Sequence, residues 1–307
     1  MFGNIFYKGE YMKIGIPKAL YYYYFFDKFK IFFEQLGVEV VTTEDTNKEI
    51  VSRGSFYASD EMCLSLKIFL GHVYELKDKC DYILIPIIDN YGLTNQMCCN
   101  YLCLYDLVNN IFNTKILTFK IDYKNNEKEI DGFIKIGKEL GFKKEDIKEA
   151  YKFAETEVSK LKRKKVLKNM QKLNSENKKV LLVSHAYNTY DNYISKDIIS
   201  FLENQNCEVI YCDQFDEEDI NGLSKYLSKE LYWKYSKENI GSIIKVQEQI
   251  DGIIFLTTFP CGLDSLVNEL VMRKISKPYL NLVIDDLDSK AGLETRLESF
   301  VDIIEQD

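Results

Sequence analysis

The chain has 307 residues, of which 46% are hydrophobic and 29% are charged, and its formal net charge is −8 at pH 7. This composition is typical of a folded globular protein and excludes the disordered and collagen-like classes. A chain of this length favours two domains over one. Because lysines are interspersed with acidic residues and the net charge is negative, a nucleic-acid-binding surface is disfavoured.

The sequence shows no sign of membrane insertion or export. No segment contains the ~18 consecutive apolar residues that a membrane span requires. The N-terminus lacks the charged and then apolar layout of a signal peptide. We therefore expect a cytoplasmic protein without membrane association, and the fold prediction starts at Met12 because the first eleven residues have no pattern of their own.

Short apolar strands alternate with longer amphipathic stretches in the first part of the chain, which predicts a parallel β/α arrangement. Strands are predicted at residues 12–17, 38–43, 81–88 and 115–122. Helices are predicted at residues 21–36, 60–76 and 101–112. Together these elements indicate an N-terminal Rossmann-like domain over residues 12–125.

A polar, lysine-rich stretch over residues 126–177 predicts a helical connector. A second β/α series follows, with strands predicted at 179–187, 207–213, 251–259 and 277–285. Helices are predicted at 194–205, 263–274 and 292–305. The predicted fold class is therefore α/β, with two similar Rossmann-like parallel domains, 12–125 and 178–307, joined by the connector and ending in a closing helix.

The cysteines are the chemically informative residues. Eight cysteines without an export signal are expected to be thiols, metal ligands or redox groups, because disulfides are rare in reducing compartments. Cys63, Cys98 and Cys261 each fall at the start of a predicted helix on the carboxyl side of a sheet, where ligands bind in this fold class. A helix N-terminus favours the thiolate, which is the form that binds metals.

Inert core cysteines are the alternative for these three positions, because free cysteine is among the most buried residue types. Cys99 is ambiguous because it adjoins Cys98. The remaining cysteines fit strand or helix faces, which favours a core role for Cys80, Cys103, Cys207 and Cys212.

Several polar residues lie on the same predicted face as the cysteines. His185 follows a strand, and both a site role and a structural role are open for it; Tyr187 and Asn188 share its loop. Ser265 lies just after Cys261, and Arg296 could clamp an anion or pair with a neighbouring glutamate. We take these as candidates for substrate contact or for support of the cysteines. Neither a P-loop nor a GxGxxG motif occurs, so this chain is not expected to bind a nucleotide itself.

Several segments resemble the 2-hydroxyacyl-CoA dehydratase D-component-like proteins, also called acyl-CoA dehydratase activase-related proteins. They include "KIGIPKALYYYYFFDKFKIFFEQLGVEVV", "DEMCLSLKIFLGHVYEL", "SHAYNTYDNYISKDI", "DGIIFLTTFPCGLDSLVNELVMR" and "KPYLNLVIDDLDSKAGLETRLESFVD". The resemblance implies a [4Fe-4S] cluster, alone or within a double cubane, on Cys63, Cys98 and Cys261, with Cys99 as a substitute for Cys98. Two prolines usual in this family are replaced by Cys99 and Ser65.

The resemblance implies an iron–sulfur redox protein that is reduced by a separate ATP-dependent activase of the actin/Hsp70-like class. A radical-type dehydratase or ATP-dependent reductase acting on an acyl-CoA-like substrate is one version, so enzymatic activity stays open. The alternatives are a non-catalytic electron carrier or docking partner of an activase, and a cluster-free α/β protein that binds a small molecule. Association as a homodimer or a heterodimer is also open.

Overall fold

The computed structural model of the protein describes residues 12–227, 231–286 and 292–306. The strands in these ranges are β1 (Lys13–Ile16), β2 (Glu39–Thr42), β3 (Tyr82–Leu84), β4 (Ile87–Asn90), β5 (Ile116–Leu117), β6 (Lys120–Asp122), β7 (Lys179–Val183), β8 (Glu208–Tyr211), β9 (Gly252–Thr258) and β10 (Tyr279–Ile284). The α-helices are α1 (Tyr22–Gln35), α2 (Lys48–Tyr57), α3 (Leu64–Leu76), α4 (Cys99–Ile111), α5 (Glu129–Glu139), α6 (Lys144–Leu173), α7 (Ala186–Thr189), α8 (Asn192–Asn204), α9 (Glu217–Ile220), α10 (Lys234–Val246), α11 (Gly262–Met272) and α12 (Leu293–Gln306).

The two halves of the chain form separate parallel sheets with the same topology. The first sheet has the order β2-β1-β3-β5, and the second has the order β10-β9-β7-β8. Numbered within its own half, each sheet therefore has the strand order 2-1-3-4. Every strand pair in these sheets is parallel. This confirms the predicted α/β class of Rossmann-like type.

Two strands predicted to be continuous are interrupted. The segments 81–88 and 115–122 each break in the middle, and their second parts pair as a separate two-stranded sheet of β4 and β6. Ile85 and Ile87 still donate backbone hydrogen bonds to the neighbouring strand, to Leu117 and Phe119. Pro86 lies between them and has no N–H to donate, so the pairing with β1 on its other side ends before it.

Helix α2 was not predicted, and α3 begins at Leu64 instead of residue 60. The two helices pack at very short range because both carry a glycine at the crossing. A Cβ on Gly54 would lie 1.7 Å from the Lys67 carbonyl oxygen, and one on Gly71 would lie 2.0 Å from that of Ile50. Only residues without a side chain fit there, so these glycines allow the close crossing of α2 and α3.

The predicted connector is helical and is packed against both halves. Phe133 of α5 stacks on Phe29 of α1 with ring centroids 5.6 Å apart. The 30-residue α6 has a length of roughly 45 Å, at about 1.5 Å per residue. Near its end, Asn169 accepts a hydrogen bond from the Tyr211 N–H (2.9 Å) and donates one to the Tyr211 carbonyl (3.0 Å). The domain boundaries themselves stay predictions.

The apolar core runs across the junction between the halves. One cluster of buried residues covers the first sheet and continues onto one side of the second, where it includes Leu182 and Phe300. A second cluster, which includes Phe255 and Ile243, fills the other side of the second sheet. Among the described helices, none is both long enough and apolar enough to cross a membrane.

Candidate functional site

Each of the three candidate cysteines is the residue that precedes the first turn of a helix. Cys63 is the N-cap of α3, Cys98 that of α4 and Cys261 that of α11. All three are half-buried. Cys261 follows β9, the third strand of the second sheet, and Cys98 follows β4, which continues the third strand of the first sheet, so they occupy corresponding places in the two halves. Cys63 lies between α2 and α3, which follow the second strand of the first sheet.

The loops that carry the cysteines are joined to one another. The Leu64 N–H donates a hydrogen bond of 2.9 Å to the Phe259 carbonyl, which links the Cys63 loop to the Cys261 loop. The Asn100 amide nitrogen lies 3.6 Å from the Cys63 sulfur, which links α4 to the same place. The Phe259–Pro260 peptide bond is cis. The site therefore contains residues from both halves of the chain.

The three thiols are close enough to influence one another's ionisation. Burial, with smaller contributions from the neighbouring Cys99 and Cys63, raises the pKa of the Cys98 thiol to about 12. Burial also raises the pKa of Cys261, with additional contributions from Asp264, Cys63 and Cys98. A negative charge on one sulfur opposes a negative charge on the others.

The first-turn N–H groups lower the pKa of these thiols, as expected for helix starts, but burial has the larger and opposite effect. Burial raises the pKa of Cys63, although the N–H groups of Leu66 and Ser65 in the first turn of α3 act to lower it. The balance is the same at Cys98 and Cys261, where single first-turn N–H groups oppose a larger effect of burial. Metal binding at these sulfurs would therefore displace protons.

Cys98 and Cys99 differ in their surroundings. Cys99 is exposed and is the first residue of α4, whereas Cys98 is half-buried and lies near Cys63 and Cys261. Of the cysteines assigned to the core, Cys207 and Cys212 are buried as predicted. Cys80 is half-buried, and Cys103 is exposed, which corrects its assignment.

His185 belongs to a buried polar chain that ends beside Cys261. Its Nε2 lies 3.0 Å from a carboxylate oxygen of Asp264, and its Nδ1 lies 3.4 Å from the Tyr24 hydroxyl. Burial acts to raise the pKa of Asp264, but the His185 imidazole and the Cys261 thiol hold it below its usual value. The His185 ring stacks on Tyr187 at 4.9 Å. The imidazole therefore connects helix α1 of the first half to helix α11 of the second.

Ser65 lies at the junction between the two halves, and its contacts there were not predicted from the sequence. Its buried hydroxyl lies 2.8 Å from Asn188 Oδ1 and 2.9 Å from the Thr258 hydroxyl, and both of these residues belong to the second half. The Asn188 side-chain nitrogen is buried without a hydrogen-bond partner among the described residues. The Ser65 hydroxyl therefore forms hydrogen bonds between the two halves. In the family that this chain resembles, proline is usual at this position.

The other two candidates are placed less centrally. The Ser265 side chain is exposed on α11, although its N–H donates to the Cys261 carbonyl at 3.0 Å. Arg296 is exposed near the start of α12 and donates a hydrogen bond to the Asn281 carbonyl in β10. Arg296 thus binds the backbone of β10. The sequence had suggested that it clamps an anion or pairs with a neighbouring glutamate.

A small buried cavity lies against Cys98. Its volume is about 10 Å³, and Tyr101, His185, Tyr235 and Ser236 line it. The hydroxyls of Tyr101 and Ser236 are buried and have no hydrogen-bond partner among the described residues. A space of this size holds about one water molecule, so the two hydroxyls have room for one small polar partner beside the Cys98 sulfur.

The sulfur donors can be compared with the needs of a single metal ion and of a cluster. No group of three or more His, Cys, Asp or Glu side chains within the described ranges is arranged to hold one ion. An ion draws its sulfur ligands to about 2.3 Å, whereas a cluster of several irons is wider and spaces its cysteines further apart. Thiolate sulfur is the ligand type that holds iron–sulfur clusters, so the donor type of Cys63, Cys98 and Cys261 is compatible with such a group.

Comparison with known proteins places the chain in a family. Residues 13–215 match the family described as the CoA enzyme activase uncharacterised domain (DUF2229). The match includes Cys63 and Cys98 and covers well over half of the chain. No curated protein matches the sequence. The chain belongs to the CoA enzyme activase uncharacterised domain family.

Proposed function

We propose that this protein is a D-component-like iron–sulfur redox component of an acyl-CoA dehydratase system. Cys63, Cys98 and Cys261 would hold a [4Fe-4S] cluster, alone or as part of a double cubane. A separate ATP-dependent activase of the actin/Hsp70-like class would reduce it. The observation that carries the proposal is the convergence of three half-buried thiols, each at a helix N-terminus, from loops of both halves.

The surrounding residues support this assignment through what they offer the sulfurs. Each sulfur faces first-turn backbone N–H groups, and the positive end of a helix stabilises negative charge on a bound group. The Asn100 amide lies beside Cys63. When bound, a cluster with three protein ligands supplies one-electron chemistry at an iron that is open to another ligand. Half-buried sulfurs limit the access of water to such a group.

The family assignment supports involvement with the activation of a CoA enzyme. Because the chain has no nucleotide-binding motif, ATP use would belong to the partner. The catalytic version assigns dehydration or reduction of an acyl-CoA-like substrate to the open iron. In the alternative version, the protein passes electrons or docks to an activase without turning over a substrate. Dimer formation, with itself or another subunit, stays a prediction.

Activase-dependent reduction tests the proposal. Anaerobically reconstituted protein is mixed with the partner activase and a low-potential reductant, and the EPR spectrum is recorded with and without ATP. We expect a reduced-cluster signal only with ATP, and no signal from Cys98→Ser. The matched control Cys103→Ser, on the same helix, should behave like the parent. An ATP-independent signal, or equal signals from both variants, would count against the proposal. Turnover of an acyl-CoA substrate in the same mixture separates the enzyme from the carrier.

A further inference from the structure

A second and much larger cavity lies on the side of the molecule where α1, α6 and α10 meet. Its volume is about 710 Å³, within the range typical of small-molecule sites. Its walls carry the side chains of six tyrosines, and we call it the tyrosine cleft: Tyr22, Tyr23, Tyr24, Tyr91, Tyr190 and Tyr235. Three of them come from the "YYYYFFD" run, whose helix was predicted without any role for its rings.

The charged groups of the tyrosine cleft are mostly acidic. Five carboxylates line it, against three ammonium groups, which are those of Lys162, Lys165 and Lys234. Most of the carboxylates already have a cation beside them. Lys234 pairs with Glu217 (2.8 Å) and with Glu238, and Lys28 pairs with Glu129. The cleft therefore still carries more negative than positive charge when these ion pairs are taken into account.

Asp27 and Asp213 are the two carboxylates of the cleft without an ion pair among the described residues, and Asp213 is the one that contacts a tyrosine hydroxyl of the cleft. It accepts a hydrogen bond of 2.8 Å from the Tyr190 hydroxyl, and no ion pair to it is present among the described residues. Burial raises its pKa, which the hydrogen bond from Tyr190 and the charge of Lys165 only partly offset. Removing a carboxylate from water without an ion pair is costly, and Asp213 is half-buried, so a cationic ligand would gain from binding next to it.

Lysine ammonium groups of the protein already lie near the tyrosine rings of the cleft. The Lys165 nitrogen lies 6.0 Å from the centroid of the Tyr190 ring, next to Asp213. The Lys234 nitrogen lies 5.9 Å from the centroids of both Tyr91 and Tyr235. Ring faces attract cations, and aromatic walls combined with a carboxylate are how proteins recognise organic ammonium ions. The cleft therefore has the chemistry of a cation site.

We propose that the tyrosine cleft binds a small organic cation, such as a protonated amine or a quaternary ammonium compound, with Asp213 as its counter-ion. This proposal does not depend on a bound cluster. The cleft and the small cavity at Cys98 share Tyr235 as a wall, and Tyr24 of the cleft stacks on Tyr235 with centroids 3.9 Å apart. The Tyr235 ring would thus separate a ligand in the cleft from the candidate cysteine site.

Calorimetric titration of the full-length protein without a cluster tests the site directly. The probes are choline and its neutral isostere 3,3-dimethylbutan-1-ol, with agmatine as a second cation and pyrophosphate as an anion. We expect at least one of the two cations to bind about tenfold or more tightly than the neutral isostere. Asp213→Asn should weaken cation binding by about tenfold or more, because its amide keeps the Tyr190 hydrogen bond but removes the charge.

Lys165→Gln is the matched control at the rim of the cleft. It removes the nearest protein cation, so cation binding should stay the same or become tighter. Equal binding of choline and its isostere, no binding of either cation, or unchanged binding in Asp213→Asn would overturn the proposal. Pyrophosphate binding that is lost in Lys165→Gln would overturn it in favour of an anion site. If Asp213→Asn does not fold, the comparison of the charged and neutral probes on the parent protein still decides.

Discussion

The Leu64 N–H donates a 2.9 Å hydrogen bond to the Phe259 carbonyl across the junction between the two halves. Leu64 follows Cys63 directly, and Phe259 lies two residues before Cys261. This single backbone contact therefore fixes two of the three candidate ligand loops relative to each other. Any change that shifts one half against the other should also separate these cysteines.

Ser65→Ala should loosen the junction next to this contact. The buried Ser65 hydroxyl is a hydrogen-bond partner of both Asn188 and Thr258, and its loss leaves buried polar groups unpaired. We expect the free energy of unfolding to fall by about 1–3 kcal/mol, measured by urea denaturation. The reconstituted protein should also lose its cluster faster.

The exposed residue Ser299 provides the control for this prediction. Its hydroxyl bonds only the Thr295 carbonyl of its own helix, so Ser299→Ala should change stability by no more than about 0.5 kcal/mol. Equal effects of the two substitutions would show that the Ser65 hydroxyl does not stabilise the junction.

Gly54→Ala should force α2 and α3 apart. The added Cβ would lie 1.7 Å from the backbone oxygen of Lys67, and a backbone atom cannot move away as a flexible side chain can. We expect a loss of about 1–3 kcal/mol of stability. Gly262→Ala is the matched control, because a Cβ there meets nothing within 4 Å; thermal unfolding should show a change no larger than the helix-propensity gain of about 1 kcal/mol. A Gly54→Ala variant as stable as the parent would contradict the close packing.

His72 should make the protein sensitive to mild acid. Burial, with a smaller effect of Lys18, lowers the pKa of His72 to about 3, and the ring bonds the hydroxyls of Thr43 and Thr46. In the unfolded chain its pKa is near 6.5, so between these two values the unfolded state binds a proton that the folded state does not. The contribution of His72 to stability is therefore complete above pH 6.5 and decreases as the pH falls towards 3, by about 2 kcal/mol at pH 5.

The pH effect of His72 can be isolated by substitution. His72→Gln keeps a hydrogen-bond donor and acceptor but does not titrate. Urea denaturation of both proteins at pH 7 and pH 5 should show that the parent loses about 2 kcal/mol more than the variant over this interval. Parallel losses would mean that His72 is protonated normally in the folded protein. Thr46, a hydrogen-bond partner of His72, also donates a 2.6 Å hydrogen bond to Asp191 in the second half of the chain.

The fold could be predicted from the sequence because hydrophobic periodicity marks buried strands and amphipathic helices. The placement of Cys63, Cys98 and Cys261 at helix starts followed from the same pattern. Helix α2 has a weak pattern because its buried face depends on Gly54, which contributes no hydrophobic side chain. The break at Pro86 required knowledge of which neighbour each strand residue faces, and that depends on the tertiary structure.

The site could be predicted only in outline. The sequence indicates where a thiol lies along a helix, but its pKa depends on burial by residues distant in the chain, and burial outweighed the helix start at Cys98. Ser65 was identified as a departure from a family pattern, although its role is to bind Asn188 and Thr258 more than a hundred residues away. The tyrosine cleft likewise forms from rings that the sequence separates, such as Tyr24 and Tyr235.

In the proposed function, Cys63, Cys98 and Cys261 together hold one iron–sulfur cluster. The iron and acid-labile sulfide content of anaerobically reconstituted protein tests this assignment. The parent and a Cys99→Ser, Cys103→Ser double variant should both retain a full cluster. A Cys63→Ser, Cys98→Ser, Cys261→Ser triple variant should bind close to none while keeping its folded circular dichroism spectrum. A triple variant that binds as much iron and sulfide as the parent would show that these three cysteines do not hold the cluster.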